Sequence, residues 1–165
     1  MSTTVLIITS VTLFVILGSI YLEIRRQIKP RIKVYFPDGS TQASYKPKEE
    51  VSIALHITNI GRFGFPKPAA TEVGMSVYTP ITFLLKRLEY GDEYVDEVTR
   101  ASSGGIFGGM HYIGAKLGLY LSHKEEEVVK LLAEMPEDTG RYPIKVSILS
   151  DQGDLGIHEL EIIVS

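Results

Sequence analysis

The chain has no cysteine, so neither disulfides nor thiolate metal sites hold it together, and nothing in it records a redox compartment. Amides are scarce as well: Asn59 is the only asparagine, and Gln27, Gln42 and Gln152 are the only glutamines. With glutamate plentiful, this depletion of thermolabile side chains points to a hot-living source. Ile60 and Gly61 follow Asn59, so no Asn-x-Ser/Thr acceptor exists and N-linked glycans are excluded.

Charge is absent from Thr3 to Leu22, TTVLIITSVTLFVILGSIYL, a run of 20 residues. At about 1.5 Å per residue, a helix of that length covers the roughly 30 Å hydrocarbon core of a bilayer. The sequence therefore predicts a transmembrane anchor over residues 1–24. A cleaved signal peptide would need a basic start and a shorter apolar stretch, whereas MSTT is uncharged. Without an ionisable group inside the run there is no proton relay or pore. Thr9, Ser10 and Thr12 are expected to return their hydroxyls to helix carbonyls.

The net charge of -3 conceals a division. Five of the 17 Lys and Arg are Arg25, Arg26, Lys29, Arg31 and Lys33, while of the 20 Asp and Glu only Glu23 precedes Val34. From Val34 onward 12 basic residues face 19 acidic ones, a balance of -7. An acidic domain stands on a basic collar, of which residues 25–30 are the juxtamembrane part, and a nucleic-acid partner is excluded for want of a basic docking face. Positive residues beside an anchor stay cytoplasmic. All five lie on the C-terminal flank, so charge places the domain in the cytoplasm. The same side chains also suit anionic lipid headgroups or snorkelling on either face.

Pro30 stops the helix, and beyond it the apolar pattern changes to period two. RIKVYF sets Ile32, Val34 and Phe36 on one face, and EVSIALHITNIG sets Val51, Ile53, Leu55 and Ile57 inward with Ser52, His56 and Thr58 outward. Further strands are expected at 73–79, 82–89, 115–121, 128–134, 142–149 and 155–164. SDQGD makes the last two a hairpin, and the apolar phase slips between Ile157 and Leu160, as a β-bulge near His158 would make it do. EEEVVKLLAEM also fits a helical period, but the turn PEDTGRYPIKV that follows favours a strand. Seven or eight short strands at this spacing predict an all-β fold, an antiparallel sandwich over residues 31–165.

Little in the sequence carries chemistry. SSGGIFGGM, residues 102–110, lacks the Gly-Lys-Ser/Thr ending of a phosphate loop and reads as a flexible connection. His56, His111, His123 and His158 have no metal-ligand spacing, and DQGDLG places Gly153 and Leu155 where calcium ligands belong. No Gly-x-Ser-x-Gly exists. The carboxylates of EYGDEYVDE and HKEEE read as solvated faces. No catalytic residue, metal or cofactor is expected.

If every strand reverses direction, the connections GRFGFPKPAA and YGDEYVDEVTRASSGGIFGGMHYIG both lie at the end where the first strand starts, the membrane-proximal end. They carry Phe63, Phe65, Ile106, Phe107 and Met110, apolar loop residues expected to dock a partner or the bilayer interface. Packing beneath the sandwich is the competing expectation.

The succession LHITNIGRFG, ATEVGMSVYTP and EEEVVKLLAEMPEDTGRYPIKVSILSDQG resembles the Ig-like domains of the CARDB and alpha-galactosidase-associated type over residues 31–165. The chain departs from them in the insert at 91–114 and in KEEEV, where a Pro-Gly-Glu turn is usual. The resemblance implies a seven- to eight-stranded Ig-like β-sandwich, non-catalytic and often at the cell surface, which pulls against the charge rule. The expectation is thus one transmembrane helix followed by an Ig-like adhesion, scaffold or assembly module. Its partners would be the bilayer and a protein or a second copy, engaged through apolar loops or strand addition. The alternative is a non-catalytic accessory subunit of a larger membrane complex or of an archaeal surface appendage.

Overall fold

The computed structural model describes residues 12–21, 29–60, 69–91, 93–95 by backbone, and 110–165. Ten strands form among them: β1 (Ile32–Tyr35), β2 (Gln42–Tyr45), β3 (Glu50–Asn59), β4 (Ala70–Pro80), β5 (Leu84–Tyr90), β6 (Glu93–Val95), β7 (Met110–Leu121), β8 (Glu126–Glu134), β9 (Gly140–Ser150) and β10 (Gly153–Val164). They make two five-stranded sheets, β1-β3-β8-β5-β6 and β2-β10-β9-β4-β7, here called sheets A and B.

Strict alternation builds the sandwich. Val51, Ile53, Leu55 and Ile57 of β3 with Val129, Leu131 and Ala133 of β8 line the inner face of sheet A. Val73, Met75 and Val77 of β4, Ile144, Val146 and Ile148 of β9, and Leu160, Ile162 and Val164 of β10 line the other. Each large side chain so buried contributes about 1.5–3 kcal/mol. The outward residues between them are polar, small or half-exposed, as a sheet wet on one face requires.

The strand count exceeds the seven or eight expected, because β2 and β6 are too short to show a period. β2 also breaks the purely antiparallel expectation by pairing parallel to β10, from Gln42 opposite Glu161 to Tyr45 opposite Val164. β7 begins at Met110 rather than near residue 115, and β5 at Leu84 rather than 82. The bulge expected near His158 lies between Asp154 and Gly156, where Gly156 has a φ of 119° and Leu155 is the extra residue. From Gly156 onward the even residues face inward, so His158 sits opposite Val146 on the inner side.

The missed strand β6 has a further effect. β5 does end at the end of the sandwich where β1 starts, but β6 turns the chain once more and β7 opens opposite Pro80 at the far end. Met110 is therefore half-buried at the end opposite the β1 start, not at the end where the sequence expectation placed it. Phe63, Phe65, Ile106 and Phe107 lie outside the described residues, as do Arg25 and Arg26. Residues 12–21 are helical. Among the described residues no helix is long and apolar enough to cross a membrane, and the remainder of the apolar run at 3–11 and 22 lies outside them.

At the end where β1 starts, the scarce amides act as ties. Asn59 is fully buried; its Nδ2 donates to Leu121 O of sheet B at 3.0 Å. Its backbone N–H donates to Glu125 O at 3.2 Å, and its carbonyl accepts from Lys124 N at 2.7 Å. Gln152, in the β9–β10 turn, donates through Nε2 to Ala69 O at 3.2 Å and Thr71 Oγ1 at 2.9 Å. A buried polar group left unpaired costs about 1–3 kcal/mol. Asn59→Leu should therefore lower unfolding stability in urea by about that amount, whereas Gln42→Ala at the exposed sheet edge should stay within roughly 0.5 kcal/mol.

His158 yields a pH dependence. Burial holds its pKa below the usual histidine value, and its Nε2 has no hydrogen-bond partner among the described residues. The unfolded chain takes up this proton first as pH falls through about 6.5. Stability should be full above that pH and decline below it, until the folded-state value is passed. His158→Leu should flatten the decline between about pH 6.5 and 5 in thermal melts; an unchanged profile would show that this imidazole is not its source.

Candidate docking surface

Three of the four sheet edges are short. β1 and β2 have 4 residues each and β6 has 3, but β7 has 12. Short edges resist unwanted pairing, and a long one invites it. β7 is interrupted once. Val73 pairs with Leu119 and Gly74 with Lys116, so Leu117 and Gly118 bulge out, Gly118 at a φ of 61°. That leaves Met110 to Lys116 regularly paired to β4 on one side and, among the described residues, unpaired on the other.

Next to this edge the outer face of sheet B is unusually bare. Tyr112, Gly114 and Lys116 alternate outward on β7, opposite Tyr78, Ser76 and Gly74 of β4. Ser76 is in turn opposite Ser147 of β9, and Gly74 opposite Leu149. Without large side chains over Gly74, Ser76 and Gly114, a groove of about 580 Å³ opens, walled by Tyr112, Lys116, Leu149, Glu72 and Asp151. Its floor is set by close packing: a Cβ on Gly114 would lie 2.8 Å from Ser76 Oγ.

The walls are held from several directions. Tyr112 stacks on Tyr78, ring centroids 5.6 Å apart. Glu72 has a φ of 51°, a left-handed backbone that costs a glutamate on the order of 1 kcal/mol or more. It falls in the β4 irregularity between Ala70 and Val73, and its carboxylate lies 3.5 Å from Lys116 Nζ. Leu149 and, on the neighbouring strand, Ile157 are 50% and 57% exposed. The groove has a floor of small residues, aromatic and aliphatic walls and a polar rim.

The outer face of sheet A is covered instead. Glu126 receives Tyr35 Oη–H at 2.7 Å and pairs closely with His56 Nδ1. His56 lies stacked against Tyr35 at 5.6 Å, and Lys33 Nζ sits 4.9 Å from the Tyr35 ring centre. His56, and then Tyr35, hold the Glu126 carboxyl below its ordinary pKa. His56 is thus on the outward side, as the alternation required, but is engaged rather than free. No group of three or more His, Cys, Asp or Glu able to hold a metal exists among the described residues.

Of the collar, Lys29, Arg31 and Lys33 are exposed while Pro30 is buried. Lys29 Nζ lies 3.6 Å from where a side chain on Gly153 would begin, and Arg31 O accepts from Ile60 N at 2.9 Å. The collar therefore enters the sandwich tightly. The groove escaped sequence reading because Gly74, Ser76 and Gly114 become neighbours only through the β4–β7 register. The available signal was the short outward residues of MSVYT and YIGAK.

No family model matches the chain, and no curated protein matches it by sequence. Solved structures match in fold. The chain is similar to AvmM, described as catalysing macrocyclization in alchivemycin A biosynthesis, at 11% identity and a TM-score of 0.50 over 83% of this chain and 90% of that one. It is likewise similar to BslA, a bacterial hydrophobin, at 16% identity and 0.50 over 83% and 94%. A cohesin module from a Clostridium perfringens family 33 glycoside hydrolase aligns at 12% identity and 0.45 over 84% and 98%. At these identities the likeness is one of fold, a two-sheet β-sandwich.

Proposed function

We propose that the chain is a non-catalytic docking module held at a membrane by its N-terminal helix. The observation that carries the docking role is the groove over Gly74, Ser76 and Gly114 beside the open stretch of β7. It offers shape, apolar contact and unpaired backbone in one place, the combination that strand addition uses. The recess on sheet A, about 410 Å³ beside Tyr90 and Val128, is instead walled by Glu89, Glu126, Glu127 and Lys130.

The tether is supported by residues 12–21. Leu13, Phe14, Val15, Ile16, Leu17, Ile20 and Tyr21 are each at least 50% exposed. A helix apolar on every side requires an apolar medium, and the uncharged run from Thr3 to Leu22 is long enough to span a bilayer. The five collar cations on its C-terminal flank favour the cytoplasmic side for the sandwich. The signatures Asn59-Ile60-Gly61 and Tyr142-x-Ile144-x-Val146 support a place among Ig-like domains of the CARDB type.

Two measurements test this. Alkaline carbonate should leave the chain in the membrane pellet; release into the supernatant would reject the anchor. Extracted in mild detergent, the full chain should migrate as an assembly larger than the monomer, and Leu149→Lys with Ser147→Lys should reduce it to monomer size. If the double variant migrates like the parent, the groove is not the docking surface.

A further inference from the structure

We propose that the groove receives Tyr112 of a second copy of this chain, through an antiparallel β7–β7 pairing whose two-fold axis passes at Ile113. The inference rests on the docking role of the groove and names its occupant.

The regular edge runs from Met110 to Lys116 and is bounded by the bulge at Leu117 and Gly118. Its middle residue is Ile113, so a two-fold there uses the whole stretch. Tyr112 of each copy then stands opposite Gly114 of the other, on the outer face where both residues point. An aromatic ring opposite an edge glycine is a favourable cross-strand pair, because the ring covers backbone that the glycine leaves bare. Here it also covers the groove floor at Ser76 and Gly114.

Charge agrees. Lys116 is the one full charge in the stretch, and the register sets it opposite Met110 rather than another lysine. His111 falls opposite Ala115. The domain as a whole, at -7 from Val34 onward, is acidic enough that two copies repel elsewhere. The β7 stretch, with one lysine and no carboxylate, adds no acidic repulsion of its own. Antiparallel strands share a two-fold perpendicular to their sheet, so two copies anchored in one bilayer lie with their strands along its plane.

The chain lacks cysteine, so a single introduced one is a unique label. In the full chain in detergent, spin labels at Lys116→Cys should give a pair distance of roughly 20 Å, the span of six residues along a strand. Labels at Gln42→Cys, on the opposite edge of sheet B, should give none that short. Sedimentation should show a dimer, and Tyr112→Lys, which sets like charges on diagonal positions across the pair, should raise its dissociation constant at least about tenfold with an unchanged circular dichroism spectrum. A monomer at 100 µM protein (about the highest working concentration), a dimer with the short distance at Gln42→Cys, or a dimer indifferent to Tyr112→Lys would overturn the proposal. An assembly containing a different protein and lacking the Lys116→Cys distance would overturn the second copy and leave the groove's docking role standing.

Discussion

Everything in this molecule depends on one apolar layer between two five-stranded sheets. Because side chains alternate along a strand, giving one face to that layer leaves the other face to water or to a partner. No strand can serve two cores, and chemistry is restricted to outer faces, edges and connections. Asn59 is the polar exception that strengthens the rule. It is buried at the rim of the layer, where its amide binds a carbonyl of the opposite sheet and so fixes how the sheets meet beside the β1 start.

The two outer faces have been put to different uses. Sheet A pairs Lys86 with Glu50 and Glu134 and Arg87 with Glu89, beside the His56–Glu126 contact, and sheet B pairs Lys145 with Glu159 and Arg141 with Glu161 on its β9–β10 side. Such exposed pairs add little to stability, but they keep a sheet face hydrated and unattractive to apolar partners. Toward its long edge sheet B carries glycine, serine, stacked tyrosines and exposed Leu149. The edge strands differ in length, since β1, β2 and β6 are short and cover only part of their neighbours, whereas β7 is long and, among the described residues, carries a bulge and Lys116 along its free side. A strained Glu72 at the mouth of the groove is consistent with a surface whose shape matters beyond stability.

Much of the fold was legible in the sequence, for physical reasons. Val51, Ile53, Leu55 and Ile57 announce a strand with one dry face, and the same period recurs in β8, β9 and β10. What was lost is what periodicity does not carry. β2, with only Gln42 to Tyr45, is too short for a pattern, and its parallel pairing to β10 comes from tertiary contact. β6 hides in an acidic stretch, and missing it misplaced Met110 by the length of the sandwich. The bulge at Leu155 was sensed as a phase slip but located at His158, because a bulge shifts every later residue alike. The groove was invisible for a deeper reason. Three small residues from two distant segments make a site only when register brings them side by side.

The proposed pairing covers the free side of β7 in the assembled protein. Hydrogen exchange of the full chain in its membrane or detergent assembly addresses it directly. Those amides of Met110 to Lys116 that point away from β4 should exchange slowly in the assembly and quickly on dilution to monomer, the ones bonded to β4 staying protected in both, while amides of the β2 edge, Gln42 to Tyr45, exchange alike in both. Equal exchange of the outward-pointing β7 amides in the two states would contradict the pairing.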